Sequence, residues 1–414
     1  MILWQSLLHK QLSREIKTGA LGITYPDGSA QRYGDAAAGP VKARLRNNDW
    51  ARRLVLDPAL SLGEAYMEGG LTIEGDDIFA LLDLIWKNIL SKKQRRTAPA
   101  FVRRLARRLA QFNPADRARM NAAHHYDVGN DLYRLFLDED LQYSCAYFER
   151  PDICLEDAQR AKKTLIEKKL LLKPDQSVLE IGSGWGGLAI SLAETAGAKV
   201  TSVTLSQEQL RVAKMRVSAK KLSGQADFRL QDYREVQGRF DRIVSVGMFE
   251  HVGVPHFQEY FNQVARLLNE DGIALIHTIG RPKGPGATDA WTAKYIFPGG
   301  YIPALSEIMP AVERAGLVVT DLEVLRLHYA DTLREWRRRF AANVEKIARK
   351  YDARFIRMWD YYLAASELSF RYGEHVVFQL QLAKRQDAVP LTRDYLISDK
   401  MEQTIQDETS RIYA

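Results

Sequence analysis

Val178-Leu179-Glu180-Ile181-Gly182-Ser183-Gly184-Trp185-Gly186-Gly187 is a short apolar run that ends in a glycine turn. Ser177 to Ile181 reads as a strand, and the glycines allow a sharp turn into a following helix. Gly182, Gly184 and Gly187 satisfy the Gly-x-Gly-x-x-Gly spacing, in which backbone approaches a nucleotide-like ligand at the start of a helix. Downstream the alternation continues. Gly186 to Ala196 reads as a helix, Lys199 to Leu205 as a strand, Gln207 to Lys221 as a helix, and Ala226 to Leu230 and Phe240 to Val246 as strands. His256 to Leu268 is then a helix and Gly272 to Ile279 a strand. This alternation predicts an α/β fold with helices on both faces of a parallel sheet, its ligands at the carboxyl ends of the strands.

The surroundings of the turn narrow the ligand. A nicotinamide enzyme ordinarily presents an acid to the ribose about twenty residues on, but here the chain reads Ser202-Val203-Thr204-Leu205-Ser206. Glu180 before the first glycine, and Gly186 after the bulky Trp185, resemble the first motif of class I S-adenosylmethionine methyltransferases. Asp232-Tyr233 stands after the third strand, where that resemblance places an adenine-contacting acid. Asn269-Glu270-Asp271-Gly272 resembles the loop before the fifth strand of the same fold.

Upstream, residues 19–76 form a different pattern. Leu21 to Tyr25 and Gln31 to Tyr33 flank Pro26-Asp27-Gly28 as a hairpin, Val41 to Leu45 reads as a strand, and Asn48 to Leu54 as a helix. Ser61 to Gly70 is a glycine-punctuated segment, Leu71 to Ile73 a strand, and Asp77 to Leu90 an apolar helix. A connector follows in which Arg103, Arg104, Arg107 and Arg108 interleave with Phe101, Leu105, Leu109 and Phe112 at helical spacing. A stripe of this kind either lies on an anionic bilayer or packs on its own protein, and the composition leaves both open.

The chain has 414 residues, and 59 Lys and Arg against 52 Asp and Glu give a net charge of +7, so an anionic partner surface is expected. That length predicts two or three domains. No apolar run nears the roughly 20 residues of a spanning helix, so membrane contact is expected to be peripheral. The first thirteen residues lack the basic leader and cleavage site of a signal peptide. Cys145 and Cys154, the two cysteines, make no disulfide framework, which fits a reducing cytoplasm. His251, His256, Glu250 and His277 lack the short paired spacings of zinc sites, so no metal is expected.

A narrower resemblance runs through ordered blocks. His124-His125-Tyr126-Asp127-Val128-Gly129-Asn130, Leu141 to Phe148, Gly182 to Gly187 and Thr204-Leu205-Ser206 with Gln209 resemble the cyclopropane-fatty-acid-phospholipid synthase family. So do Gly247-Met248-Phe249-Glu250-His251-Val252-Gly253, His277-Thr278-Ile279-Gly280, Lys294 to Gly300 and His328 to Leu333. The resemblance implies a Rossmann-like class I methyltransferase domain with a mostly parallel seven-stranded sheet. It also implies a small N-terminal α+β domain of the kind carried by longer family members. The expected layout is a lipid-associated domain over 1–90, a basic amphipathic linker over 91–120, the catalytic domain over 121–397 and a polar tail over 398–414.

The activity implied is methyl transfer from S-adenosylmethionine to the cis double bond of an unsaturated phospholipid, through a carbocation, with bound bicarbonate as base. By the same likeness Glu250, His277 and Tyr329 would hold the bicarbonate through side chains, and Cys145 and Ile279 through backbone N–H groups. Tyr143, Ser144, Gly182, Gly184, Thr204, Leu205, Gln209, Asp232 and Tyr233 would contact S-adenosylmethionine, with Thr204 and Gln209 replacing the missing ribose carboxylate. Placement at the ends of the fourth and fifth strands points Glu250, His277 and Ile279 to the binding edge. A carboxylate beside an anion should share a proton or titrate high.

A dry, aromatic site is expected, because water would trap the cation, and Tyr143, Tyr147, Phe148, Tyr295, Phe297, Tyr301 and Trp336 are available to face it. Relatives divert the same cation to methyl-branched or methylene products. A nucleic-acid methyltransferase, with the basic connector as its footprint, is the alternative of another class. The family reading has no nucleic-acid partner. It has an anionic membrane surface, a location at the inner face of the cell membrane, and the homodimer that longer members often form.

Overall fold

The computed structural model describes residues 3–90 and 129–397. The basic connector, the motif residues His124 to Val128 and the polar tail lie outside the described residues.

The N-terminal region runs α1 (Leu3–Glu15), β1 (Ala20–Thr24), β2 (Ala30–Gly34), β3 (Pro40–Leu45), α2 (Asn48–Leu56), α3 (Pro58–Met67), β4 (Leu71–Ile73) and α4 (Ile78–Leu90). Its four strands form one sheet in the order β2-β1-β3-β4. The hairpin forms as the Pro-Asp-Gly turn predicts, with Leu21 opposite Tyr33 in antiparallel register. Asn47 caps α2 by accepting the Trp50 N–H at 3.2 Å, and Asp57 and Pro58 start α3.

The glycine-punctuated segment is therefore largely helix. Gly63 is tolerated there because a Cβ would lie 2.4 Å from Nε1 of Trp291, so close approach of a distant indole, and not a turn, is what the glycine provides.

The second region runs α5 (Asn130–Phe136), α6 (Leu155–Lys169), β5 (Ser177–Ile181), α7 (Gly187–Ala196), β6 (Lys199–Thr204), α8 (Gln207–Ala219), β7 (Ala226–Leu230) and β8 (Phe240–Val246). It continues with α9 (Phe257–Leu267), β9 (Leu268–Gly280), α10 (Ala290–Tyr295), α11 (Leu305–Arg314), β10 (Val318–Val324), α12 (His328–Ala342), α13 (Val344–Ile347), α14 (Ala353–Arg371) and β11 (Val376–Ala383). Seven strands pair in the order β10-β11-β9-β8-β5-β6-β7. Strands β5 to β9 are mutually parallel, and β11 pairs antiparallel with both neighbours. The order reverses at β5, whose carboxyl end carries the glycine turn, as expected for a ligand crevice in a doubly wound sheet.

The two regions are docked firmly. Buried Glu64 on α3 accepts from Lys294 Nζ at 2.7 Å and Tyr295 Oη at 2.8 Å, and it also pairs with Arg53. Tyr66 Oη donates to Asp360 at 3.0 Å, and Trp86 stacks on Tyr372. One continuous apolar cluster joins Leu21, Leu45 and Leu81 to Tyr133, Trp336 and Leu363.

Candidate active site

The glycine turn is built as its composition requires. Gly182 and Gly184 have φ of 95° and 49°, the left-handed region that side chains other than glycine avoid. Around it, at the carboxyl ends of β5 to β8, lies a cavity of about 160 Å³. Tyr143, Ser144, Gly182, Gly184, Thr204, Leu205, Gln209, Asp232 and Tyr233 all line it.

Local chemistry fixes each contributor. Ser206 caps α8 by accepting the Gln209 N–H, which turns Gln209 back onto the Thr204 hydroxyl at 3.1 Å. The Asp232 carboxylate takes Arg234 on both oxygens, at 2.9 and 2.7 Å. Glu180 is fully buried; loss of hydration pushes its carboxyl up to about 8, although Ser202 donates to it.

The segment carrying Tyr143, Ser144 and Cys145 has no regular secondary structure and is pinned by α6. Lys162 donates to Gln142 Oε1 at 2.6 Å and Ser144 Oγ at 2.8 Å, and Gln159 donates to the Ser144 carbonyl at 3.0 Å. Burial pulls the Lys162 ammonium down to about 8. Tyr143 bonds Tyr362 Oη at 2.8 Å and stacks on Trp336.

A second cavity, of about 740 Å³, shares Tyr143, Ser144, Gly247 and His251 with the first. Glu250, His277, Tyr329, Cys145 and Ile279 all line it, so the five residues implied by the family likeness do converge. Glu250 sits on a 3₁₀ turn, Phe249–His251, beyond the end of β8. The expectation that it ends the fourth strand is corrected by four residues, because the positive φ of Gly247 breaks the strand there. Its Oε1 accepts the Ile279 N–H at 2.6 Å, and its Oε2 is buried with no hydrogen-bond partner. Burial raises the carboxyl above the ordinary range.

His277 is the other orphan: Nε2 is buried without a partner. Nδ1 lies 3.1 Å from Gln379 Nε2, and Gln379 Oε1 accepts from Lys169 Nζ at 2.7 Å. An ammonium only donates, so the Gln379 oxygen must face Lys169 and its amide must donate to Nδ1. The proton of neutral His277 is thereby placed on Nε2, a donor directed at the chamber. Burial holds this imidazole well below its usual titration range, aided by the two nearby lysines.

Of the aromatics expected to face the reaction, Tyr143, Phe297 and Tyr301 line the chamber. Tyr147 instead stacks on His328, Tyr295 bonds Glu64 at the inter-region contact, and Trp336 lies behind Tyr143. Phe148 is likewise outside the lining, whereas Tyr361, Tyr362 and Phe370 of α14 belong to it. The Cys145 thiol is fully buried and pushed up by desolvation, which suits a wall and not a nucleophile. Among the described residues no three His, Cys, Asp or Glu side chains converge in a metal-binding arrangement.

Residues that motif reading did not single out are Lys162, Lys169 and Gln379. A signal existed for the lysines, since they fall with Leu155, Ala158, Gln159 and Ile166 on the buried face of α6, where helical spacing calls for apolar side chains.

Comparison with known proteins identifies the family. The family model described as mycolic acid cyclopropane synthetase matches residues 114–380, and a domain of unknown function matches residues 7–96. The chain is 38% identical to the cyclopropane-fatty-acyl-phospholipid synthase of Escherichia coli K12 over 349 residues, covering 83% of this chain and 88% of that protein. It is 35% identical to the tuberculostearic acid methyltransferase of Mycobacterium tuberculosis, covering 92% of this chain and 91% of that protein. Among solved structures, a mycolic acid cyclopropane synthase complexed with SAH and CTAB superposes with a TM-score of 0.61 at 32% identity, covering 66% of this chain and 99% of that one. Coclaurine N-methyltransferase, at 22% identity and a TM-score of 0.64 over 78% of this chain and 99% of its own, shares the fold. The chain belongs to the cyclopropane-fatty-acid-phospholipid synthase family of class I S-adenosylmethionine-dependent methyltransferases.

Proposed function

We propose that this enzyme transfers the methyl group of S-adenosylmethionine to the cis double bond of an unsaturated phospholipid acyl chain and closes a cyclopropane ring. The observation that carries the reading is the apolar chamber that shares a wall with the cofactor-type cavity and has orphaned Glu250 and His277 in its lining. The mostly hydrocarbon lining of this chamber of about 740 Å³ offers water few partners. A lipid chain fits that lining, and the volume falls within the usual range for ligand sites.

In the proposed reaction the π electrons of the alkene take the methyl carbon as its bond to sulfur breaks, leaving a cation on the second alkene carbon. Tyr143, Phe297, Tyr362 and Phe370 line this space, and an aromatic face attracts a desolvated cation by roughly 2 kcal/mol. Their bulk also keeps water from trapping it as an alcohol. Loss of a proton from the added methyl then closes the ring. Bicarbonate, when bound, would supply the weak base for that loss. The residues fit such an ion: His277 Nε2–H and a protonated Glu250 Oε2 are two donors without protein partners, with the Tyr329 hydroxyl and the Cys145 and Ile279 backbone beside them. Ile279 N–H is held by Glu250 Oε1 in this structure, so the ion would share that donor. Tyr143, Ser144, Gly182, Gly184, Thr204, Leu205, Gln209, Asp232 and Tyr233 are proposed to hold the cofactor.

No described helix is long and apolar enough to cross a membrane, and the enzyme is proposed to work from the inner membrane surface. A methyl branch in place of the ring is the second reading, favoured by the 35% identity to a tuberculostearic acid methyltransferase. Lipids extracted from expressing cells decide between them. Mass spectrometry should show a gain of one CH₂ per modified chain, with high-field cyclopropane protons. Olefinic methylene signals or a saturated methyl branch would overturn the ring.

A further inference from the structure

His277, Ile279 and Arg281 alternate along β9 and its continuation, so they share one face, and all three line the chamber. Arg281 is anchored through its backbone: its N–H donates to the Pro303 carbonyl at 2.7 Å, and it bridges to Ala304. The guanidinium lies against Gly286, where a Cβ would come within 2.8 Å of it. Nη2 donates to the Ala287 carbonyl at 2.7 Å, whereas Nε is buried with no acceptor.

No carboxylate stands within ion-pair distance of Arg281 among the described residues. Glu374, Glu307 and Asp289 act on its charge only at longer range, so this half-buried cation, with an unused donor and no direct ion pair, has room for an anionic partner. Its surroundings say where that anion comes from. The exposed members of the chamber lining are Pro58, Ala59 and Ile89 of the N-terminal region and Ala287 and Asp289 beside Arg281. The chamber thus opens at the seam between the two regions, with Arg281 at the opening and Glu250 and His277 at its buried end.

We propose that Arg281 binds the phosphodiester of the substrate phospholipid at this mouth, so that the acyl chain runs inward between the N-terminal region and β9. The inference rests on the lipid reading above and adds to it a headgroup site and a ruler. Four residues of extended strand, about 13 Å, separate the Cα atoms of Arg281 and His277, and a phosphate held at one end fixes which stretch of chain reaches the other. The N-terminal region becomes part of the substrate site, with Leu45, Leu81 and Leu82 in the chamber wall.

The test uses the full chain with dioleoylphosphatidylglycerol and, separately, dioleoylglycerol, each dispersed in neutral detergent micelles so that bulk surface charge plays little part. Arg281→Gln is expected to lower kcat/KM on the phospholipid tenfold or more, mainly through KM. The neutral lipid rate should change less than about twofold, and Arg281→Lys should recover part of the loss. An equal fall on both lipids, or none on either, overturns the headgroup site. Inorganic phosphate should not compete; competition confined to phosphate would assign the arginine to the free ion and overturn the proposal. A phospholipid with a photoreactive headgroup, cross-linked to the wild-type protein, should label residues 281–292 or 374–375, and labelling elsewhere counts against it. Wild-type inactivity on both lipids would instead refute the proposed function, while the cross-link still decides where a headgroup sits.

Discussion

The hydrogen-bond chain from Lys169 through Gln379 to His277 makes a strong prediction, because a change at its centre alters the imidazole without touching the chamber. Gln379→Leu removes the donor to Nδ1 and one acceptor of the Lys169 ammonium, at 3.1 and 2.7 Å. One neutral hydrogen bond at about 0.5–1.5 kcal/mol and one charged bond at about 1.5–3 kcal/mol give a loss of roughly 2–4.5 kcal/mol in folding stability. Lys169 keeps Glu323 as its partner, so the buried charge is not stranded and the fold should survive. Catalysis suffers separately. With Nδ1 unconstrained, the proton is no longer confined to Nε2, and losing one hydrogen bond's worth of transition-state stabilisation, about 1.4 kcal/mol, costs about tenfold. Urea unfolding measures the first effect, and kcat/KM for labelled methyl transfer the second. Nitrogen-15 spectra of the imidazole report directly which nitrogen carries the proton. A variant with kcat/KM within about twofold of wild type and an unchanged tautomer would refute the relay.

Glu250→Gln should reduce turnover by about 100-fold or more, the scale of a lost acid–base group, while S-adenosylhomocysteine affinity by calorimetry changes little; lost cofactor binding would mean that Glu250 belongs to the other cavity. Glu180 gives a pH signature: its folded-state value of about 8 lies above that of an exposed glutamate. The folded state therefore holds the proton more tightly, and this group's contribution to stability falls as pH rises from about 4.5 through 8. Glu180→Gln should flatten that decline in urea midpoints of the cofactor-free protein, and an identical pH profile would contradict it. Gly63→Ala should destabilise the protein by about 1–3 kcal/mol despite better helix propensity, since its Cβ would meet Trp291 at 2.4 Å; a stabilised variant in the same assay would show that the indole yields.

Much of the α/β sheet was legible because its signals are local. A glycine turn after a buried strand, and strands and helices at regular spacing, are set by neighbours in sequence. The closing strands β10 and β11 were expected in number but not placed, since β11 carries Gln379 and Gln381 in a fully buried strand, an interruption that apolar periodicity does not anticipate. The chamber itself was not legible: Leu8, Leu45 and Leu81 meet His277 and Tyr362 only because α14 packs on α3 and α4. Lys162 and Lys169 carry no motif and prove to be internal donors that hold Ser144 and Gln379. The family motifs did locate the residues around both cavities, yet they carried no information on Arg281, whose position matters only once the N-terminal region is docked.

The most direct test supplies purified enzyme with S-adenosylmethionine labelled at the methyl carbon and vesicles of defined monounsaturated phospholipid, alongside RNA, DNA and fully saturated vesicles. Label should enter the unsaturated acyl chains alone and appear as the bridging carbon of a three-membered ring. Methylated polynucleotide, or unsaturated lipid recovered without label from active enzyme, would contradict the assignment.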